Sequence, residues 1–435
     1  MIAQILFVII AAIATYFFVK NLKTIRRNIL LGKDIDLSDN KPERWKTMIK
    51  VAFGQTKMAV RPVPFVLHLI VYAGFVLINI EVLEILIDGI FGTHRVLSAL
   101  GSVYNLAIGF FEILAFGVLV ACVIFLLRRH VVKIARFQSP ELRGFPDKDA
   151  TTILIIEIVL MAALLKMNAA DYVLQSRGSE HYLNAGSFPI SSWLIAPIFA
   201  SFSDGTLILI ERAAWWFHII GIFAFMNYLP FSKHFHIILA FPNTYYSNLK
   251  PKGEFNNMES VTQEVKLMLD PSAVVPEGYQ PPTSFGVKDV QDLTWKNLMD
   301  AYSCTECGRC TSNCPQNITG KLLSPRKVMM DVRDRLVEVG KNIDANNGAF
   351  VDDGKNLHTY ITEEEIWACN SCNACVESCP ININPMEVLL EMRRYKVMEE
   401  SSAPASLNNM FNNTENNQAP WQFSPMDRAN WTKED

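Results

Sequence analysis

The stretch CTECGRCTSNCP occupies residues 304–315, and CNSCNACVESCP repeats its pattern at 369–380. Each copy reads C-x2-C-x2-C-x3-C-P, a spacing in which three thiolates hold one cubane iron–sulfur cluster and the fourth crosses to another. A zinc site is the alternative for one C-x2-C pair, but two full copies with the trailing Cys-Pro favour iron and sulfur. The sequence therefore predicts two 4Fe–4S clusters. The first is assigned Cys304, Cys307, Cys310 and Cys379, and the second Cys369, Cys372, Cys375 and Cys314.

The remaining ninth cysteine, Cys122, lies in an apolar run and is predicted to be a packing residue. Clustered cysteines in a chain of 435 residues are typical of metal binding in a reducing compartment rather than of a disulfide framework. The 54 residues between Cys314 and Cys369 predict helices inserted between the two motifs. We therefore expect an α-helical ferredoxin domain over residues 295–400.

Half of the chain is hydrophobic, and five apolar runs upstream of the cysteines are long enough to cross a bilayer. The predicted spans are approximately 1–19, 63–87, 103–127, 150–170 and 206–229. The loops 20–62 and 128–149 carry eleven and six Lys and Arg residues, whereas the opposite loops carry one each. This bias predicts an N-terminus outside and a cytoplasmic C-terminal half. The net charge of −3 gives no indication of nucleic-acid binding.

These features predict an all-α protein with four consecutive regions. Residues 1–240 form a membrane domain, and residues 241–294 form a linker with a helix near 255–269. Residues 295–400 form the dicluster domain. Residues 401–435 are rich in Asn, Ser and Pro, and form a tail that is either disordered or binds a partner.

Three histidines lie in or just after the last span, within WWFHIIGIFAFMNYLPFSKHFH (215–236). Neutral imidazole is a good axial ligand of haem, and a polar group in a span needs such a reason. In one continuous helix, His218 and His236 would share a face about 27 Å apart, with His234 on another face. His68 is the partner candidate in the second span. His94, His130 and His181 fall at helix ends or in loops and are predicted to be surface residues.

Two stretches of the membrane half resemble the gamma subunit of respiratory nitrate reductase, a dihaem quinol-oxidising protein. They are FHIIGIFAFMNYLPFSKHFHI (217–237) and RPVPFVLHLIVYAGF (61–75). The cysteine half resembles iron–sulfur subunits of heterodisulfide reductases through LTWKNLMDAYSCTECGRC (293–310) and TGKLLSPRK (319–327). The resemblance implies a five-helix haem b domain, fused to a dicluster protein, in the bacterial inner membrane.

The first resemblance implies that His68 and His236 bind one haem b, and that His218 binds a second. The position of the fourth ligand in that family is occupied here by Ile78, which cannot bind iron. A single haem between His68 and His218 therefore stays open as an alternative. Arg61 and Lys233 are the candidate partners of the haem propionates, and Glu112 or Glu157 are candidates for proton exchange with quinone.

We expect an electron-transfer subunit that works between a cytoplasmic redox partner and the quinone pool. The alternatives are quinol oxidation that feeds a disulfide-type reductase, and a haem-less membrane anchor. The aromatic residues Trp421, Phe423 and Trp431 make the tail a candidate binding segment. The tail resembles a segment that precedes a cysteine-rich catalytic domain in longer proteins. This implies a separate cysteine-rich iron–sulfur subunit as partner, supplied by a flavoprotein such as an electron-transfer flavoprotein.

Overall fold

The computed structural model describes residues 1–251, 253–275, 278–279 and 282–433. Within these ranges the regular structure is helical without strands, and one isolated bridge pairs Lys33 with Thr294. The prediction of an all-α protein is therefore confirmed. The chain forms two compact units that interleave along the sequence, whereas the sequence predicts consecutive regions. The first unit comprises Met1–Ile29, Asn40–Ser247 and Tyr302–Gly308, and the second comprises Leu30–Asp39, Asn248–Ala301 and Arg309–Asp435.

The first unit, all of whose residues are described, contains nine α-helices. They are α1 Ile2–Ile29, α2 Lys41–Met48, α3 Pro62–Phe91, α4 Ser102–His130, α5 Phe145–Ser176, α6 Pro189–Leu194, α7 Ala196–Phe199, α8 Asp204–Tyr228 and α9 His236–Tyr245. Helices α1, α3, α4, α5 and the segment Asp204–Phe231, which contains α8, are long and apolar enough to cross a membrane. This confirms the five predicted apolar helices.

The ends of these helices are determined by individual residues outside the apolar runs. Helix α1 continues for ten residues beyond its predicted end, because the basic stretch from Lys20 to Arg27 also favours helix. Helix α3 begins with Pro62, whose fixed backbone angle suits a first helical turn. It ends at Gly92, which adopts the left-handed conformation with φ 72°.

The core of the first unit lies between α1, α3, α4, α5 and α8. Helix α5 packs against both α8 and α4, and α3 packs against α4. Phe7 of α1 contacts the backbone of α3 at Gly89, where an added Cβ would lie 2.5 Å from the ring. A larger residue at position 89 would therefore separate the two helices. Many large apolar side chains on the outward faces of the long helices are exposed, as expected for surfaces in contact with lipid.

The chain is interrupted at Pro230, so the single continuous helix assumed when His218 and His236 were assigned to one face does not form. Helix α8 ends at Tyr228, two 3-10 turns follow at Leu229–Phe231 and Lys233–Phe235, and α9 starts at His236. Pro230 lacks the backbone N–H that a continuous helix would need. His218 and His236 therefore do not share one helical face, and that prediction is wrong.

The remaining helices surround or follow the cysteine motifs. They are α10 Glu259–Leu269, α11 Trp295–Ser303, α12 Arg309–Ser312, α13 Pro315–Ile318, α14 Pro325–Ala345, α15 Leu357–Tyr360, α16 Glu363–Ala368, α17 Ala374–Ser378, α18 Pro385–Met398 and α19 Ala405–Asn417. In the second unit α14 packs against α18. Both begin with a side-chain cap, Ser324 for α14 and Asn384 for α18. Helix α18 also packs against α16 and α17 at the second cysteine motif, and α14 packs against α12 of the first motif.

Candidate functional site

The two cysteine motifs adopt the same local backbone pattern. Glu306 and Ser371, each two residues after the first cysteine of a motif, have φ angles of 55° and 53°. Gly308 and Asn373, each directly after the second cysteine, have φ angles of 70° and 60°. Such left-handed residues turn the chain sharply, and a residue other than glycine adopts them at a cost of about 1–2 kcal/mol. The repeated turns fit loops that each wrap around a bound cluster.

Cys314, the last cysteine of the first motif, lies among the cysteines of the second motif. Burial raises the pKa of the Cys375 thiol to about 12, and nearby Cys369, Cys314 and Cys372 add to the shift. The amide of Asn313 also donates to the Ser378 hydroxyl over 2.9 Å. This neighbourhood contains the four ligands assigned to the second cluster.

The donor set of these four cysteines fits an iron–sulfur cluster. All four are free thiols, and the backbone N–H of Ser371 points at Cys369 Sγ from 3.4 Å. Hydrogen bonds to sulfur are one of the means by which proteins tune such clusters. No group of three His, Cys, Asp or Glu residues within the described ranges is placed to hold one metal ion. A 4Fe–4S cluster binds each thiolate to a different iron, which needs a wider array.

Cys304 and Cys307 belong to the first unit, as does the segment after α8. Glu306, between the two cysteines, forms an ion pair with the ammonium group of Lys233. The two side chains are only 3% and 12% exposed, so the pair is screened from water. Lys233 also donates its backbone N–H to Asp149 over 3.0 Å and its ammonium to the Pro146 carbonyl over 2.6 Å.

The imidazole rings of His68 on α3 and His236 at the start of α9 are neighbours, with centroids 6.3 Å apart and planes inclined by 38°. A metal–nitrogen bond of about 2.0 Å puts the centroid of an axial imidazole about 3.2 Å from the metal. Two imidazoles that held one metal ion between them would therefore have centroids about 6.4 Å apart, close to the 6.3 Å observed. This separation would allow the two rings to hold one metal centre between them.

In both imidazole rings the Nδ1 atom contacts an oxygen atom. His68 Nδ1 lies 3.0 Å from Gln55 Oε1, and His236 Nδ1 lies 3.0 Å from the Lys233 carbonyl. A carbonyl oxygen can only accept, so these contacts require the proton on Nδ1 and leave the lone pair on Nε2. Burial lowers the pKa of His236, which favours the neutral ring, the form of imidazole that can bind a metal. Metal-binding histidines commonly have such partners.

His234 lies beside this pair rather than on a separate helical face. Its ring centroid is 5.6 Å from that of His236 and 5.3 Å from that of Phe225. Burial lowers the pKa of His234 to about 3, and the neighbouring His236 and His68 add to the shift. The site therefore contains three imidazoles. The proximity of His234 depends on the direction that the chain takes after Pro230, which the sequence does not indicate.

The other predicted site residues lie apart from one another. His218 is buried in α8, and its Nδ1 contacts the Leu160 carbonyl of α5 over 3.0 Å. Ile78 is part of the same apolar core as Ile219, the neighbour of His218. Arg61 is the N-cap residue of α3, two turns before His68. Lys233, expected at a haem propionate, forms the ion pair with Glu306.

Sequence comparison supports the same assignment of the cysteine half. Residues 303–383 match the family described as the 4Fe-4S dicluster domain. This chain is also 31% identical, over 107 residues, to one component of the ferredoxin:CoB-CoM heterodisulfide reductase of Methanosarcina mazei. That alignment covers 24% of this chain and 52% of the relative. No solved structure matches the chain.

Two longer relatives align with the membrane half as well. The chain is 28% identical to the probable iron-sulfur-binding oxidoreductase FadF of Bacillus subtilis, over 99% of this chain and 60% of the relative. It is 27% identical to the EtfAB:quinone oxidoreductase of Syntrophomonas wolfei, over 93% of this chain and 56% of the relative. The chain thus spans less than two thirds of either protein. Together with the dicluster domain, these relatives support an iron–sulfur oxidoreductase with a role in electron transfer.

Proposed function

We propose that the chain carries electrons between a soluble redox partner and the quinone pool of a bacterial inner membrane. When bound, two 4Fe–4S clusters and one haem b supply the one-electron chemistry. The observation that carries the proposal is the neighbouring pair of His68 and His236, in the unit that also contains Cys304 and Cys307. Lys233 links the two places, because its carbonyl contacts His236 and its ammonium contacts Glu306.

The two cysteine motifs have different roles in this proposal. Cys372 is exposed, whereas Cys304 is buried and belongs to the unit that contains the histidine pair. The cluster held by Cys369, Cys372, Cys375 and Cys314 therefore receives electrons from the soluble partner. The cluster held by Cys304, Cys307, Cys310 and Cys379 passes them to the haem. The basic loops of the chain support a cytoplasmic location for both clusters.

The partner we propose is a cysteine-rich iron–sulfur subunit that receives electrons from an electron-transfer flavoprotein. The name of the Syntrophomonas wolfei relative, an EtfAB:quinone oxidoreductase, supports both this donor and transfer toward quinone. Within the tail, Trp421, Phe423 and Trp431 are 61%, 71% and 75% exposed. Large exposed aromatic side chains are frequent anchors of protein interfaces, so the tail is the proposed docking segment.

A reduced-minus-oxidised spectrum of the purified protein tests the haem assignment. We expect a low-spin b-type signal in the unaltered protein and its loss in both His68→Ala and His236→Ala. His130→Ala is the matched control, because this exposed histidine lies at the end of α4 and should leave the signal unchanged. The pairing is wrong if His218→Ala and His68→Ala remove the signal while His236→Ala retains it.

Reoxidation by a quinone tests the electron acceptor. The dithionite-reduced protein should be reoxidised when a soluble short-chain quinone is added, and the accompanying quinol can be measured by its absorbance. A protein with intact clusters and haem that stays reduced under these conditions would exclude quinone as the acceptor.

A further inference from the structure

A buried polar network lies inside the first unit, at the end where the α3–α4 loop and the α5–α6 connection meet. Besides Tyr104 of α4, it contains six polar or charged side chains that are each no more than 6% exposed. They are Glu81 and Glu84 of α3, Arg95 of the following loop, Glu112 of α4, and Asn168 and Asp171 of α5. Charged groups are rarely buried in an apolar bundle without a partner or a function.

Hydrogen bonds connect most of this network. Arg95 donates from Nε to Asp171 over 2.6 Å and from Nη2 to Asn168 over 3.2 Å. Asn168 in turn donates to Glu112 over 3.3 Å. On the other side, Arg95 Nη1 donates to the Tyr104 hydroxyl over 3.1 Å, and Tyr104 donates to Glu84 over 2.9 Å. One arginine therefore connects three helices.

The carboxyl groups of this network differ in the number of hydrogen-bond donors that contact them. Glu112 also accepts from the backbone N–H groups of Ile190 and Ser191 over 2.8 and 3.3 Å. Glu84 also accepts from the backbone N–H of Leu97 over 2.9 Å. Both carboxyl groups therefore have several hydrogen-bond donors. Glu112, a candidate for proton exchange from sequence, is thus a structural acceptor.

Glu81 is the exception. It is 4% exposed, and its Oε1 atom has no hydrogen-bond partner within the described residues. The charged groups that face it are Arg95, Glu84 and Glu112. Four carboxyl groups share one arginine in this network, and an unpaired carboxylate in an apolar interior is costly. The proton that relieves this excess of negative charge belongs on Glu81, the carboxyl with the fewest donors.

A route toward water begins at the opposite side of the network. His94 Nε2 lies 3.7 Å from Asp171 Oδ2, and its Nδ1 has no hydrogen-bond partner within the described residues. The side chain of His94 is 9% exposed, so the prediction that His94 is a surface residue is wrong. The ring of His181, which is exposed, lies 5.6 Å from that of His94. A neutral imidazole can take a proton on one nitrogen while it releases one from the other.

We propose that this network is a proton-transfer site, in which the acid form of Glu81 supplies the proton for quinone reduction. The inference rests on the proposed function. Reduction of one quinone consumes two electrons, which the soluble partner supplies, and two protons. In each transfer the carboxyl O–H bond of Glu81 breaks and an O–H bond forms on a quinone oxygen. The carboxylate regains a proton from water, and His94 and Asp171 lie on the side of the network from which that proton would enter.

The test compares Glu81→Gln with Glu180→Gln. The first variant keeps the shape of the buried side chain but cannot donate a carboxyl proton. The second makes the same chemical change on an exposed loop residue. We expect Glu81→Gln to reduce the rate of quinol formation at least about 100-fold, the lower range for a lost general acid. Cluster and haem spectra should be unchanged in both variants, and Glu81→Asp should restore part of the rate.

A second measurement does not depend on quinone turnover. The infrared spectrum of the unaltered protein should contain the C=O band of a protonated carboxyl that shifts in D2O, and this band should be absent from Glu81→Gln alone. A band that persists in Glu81→Gln, or an unaltered quinol rate in that variant, overturns the inference. If the unaltered protein fails to reduce quinone, the proposed function fails, while the infrared band still determines whether Glu81 holds a proton.

Discussion

At the level of single residues, three histidines of the first unit each make the same kind of hydrogen bond. His68, His236 and His218 each direct Nδ1 at an oxygen atom 3.0 Å away. For His236 and His218 that oxygen is a backbone carbonyl, which is rigid. For His68 it is the side chain of Gln55, which is itself buried. The partner of a ligating histidine sets its orientation and basicity, so Gln55 would be the adjustable part of the haem site that we propose.

Two different substitutions of Gln55 should therefore shift the midpoint potential of the haem in opposite directions. Gln55→Glu places a stronger acceptor on His68 Nδ1, which makes the ring more basic, stabilises ferric iron and lowers the midpoint potential. Gln55→Leu removes the acceptor, which should raise the potential and weaken haem binding about 10- to 100-fold. Potentiometric titration followed by haem absorbance measures both effects. Equal potentials in the two variants would show that Gln55 does not act on His68.

The histidines could be identified from the sequence, but their partners could not. An imidazole in an apolar run is conspicuous because it is polar where lipid is expected. Gln55 lies in a loop, where a polar residue is ordinary, and its role depends on the way the loop approaches α3. The same limit applies to Glu81, because its missing partner is a property of the packed helices and not of the run in which it lies.

At the level of secondary-structure elements, the apolar runs predicted the existence of the five long helices but not their ends. Helix α1 runs ten residues further than the apolar run, and the last span is followed by two 3-10 turns. Those turns bring His234 and His236 together, although an unbroken helix would separate their faces. A proline signals a break in the sequence, but the direction taken by the chain after it depends on tertiary contacts.

The crossing of Cys314 to the second motif makes a prediction for the clusters. Cys314→Ser should damage the cluster held by Cys369, Cys372 and Cys375, while the cluster of Cys304, Cys307 and Cys310 remains. Non-haem iron should fall from about eight to about four atoms per chain. Iron analysis and the electron paramagnetic resonance spectrum of the reduced protein measure the loss. The control is Cys122→Ala, which removes a buried thiol of α4 that is not assigned to any cluster.

If Cys314→Ser instead loses the cluster of Cys304, Cys307 and Cys310, then Cys314 is a ligand of that cluster and our assignment is wrong. The spectrum distinguishes the two outcomes when Cys304→Ser is measured beside it, because the two variants should then lose different signals.

The buried ion pair of Lys233 and Glu306 predicts a non-additive effect on stability. Lys233→Met leaves the carboxylate of Glu306 buried without its main partner, which should lower the free energy of unfolding by about 3–5 kcal/mol. Glu306→Gln should also destabilise the protein. The double variant has neither charge and should recover much of the loss. Thermal unfolding of the four proteins completes the cycle, and simple additivity of the two single effects would contradict a direct pair.

For the whole molecule, the interleaving of the two units explains why the domain boundaries predicted from composition differ from those observed. Composition changes near residue 240, and the cysteines begin at Cys304, so consecutive domains are the natural prediction. In the structure, the segment Tyr302–Gly308, which contains Cys304 and Cys307, belongs to the first unit. Membership of a packed unit is decided by contacts such as that between Asn28 and the Tyr302 hydroxyl, 2.9 Å apart. Composition contains no record of such contacts.

The tail provides a prediction for assembly. Truncation after Ser402 should leave the haem and cluster spectra intact, because the assigned ligands lie upstream, while the cysteine-rich partner is lost during purification. The triple variant Trp421→Ala, Phe423→Ala and Trp431→Ala should have the same effect with the helix α19 retained. Co-purification followed by mass spectrometry of the complex measures the partner. A full complement of partner on the truncated chain would show that the tail is not a docking segment.

The repeated left-handed turns of the cysteine motifs have a consequence for the life of the protein in the cell. Three of the four positions, Glu306, Ser371 and Asn373, carry side chains, so each turn is maintained against about 1–2 kcal/mol of backbone strain. Bound clusters would supply that energy, and without them the turns can relax and the surrounding helices open. Opened segments are degraded by cellular proteases. We therefore expect the half-life of the protein, measured by pulse-chase labelling, to shorten when cells are starved of iron, so that its abundance follows the supply of the metal.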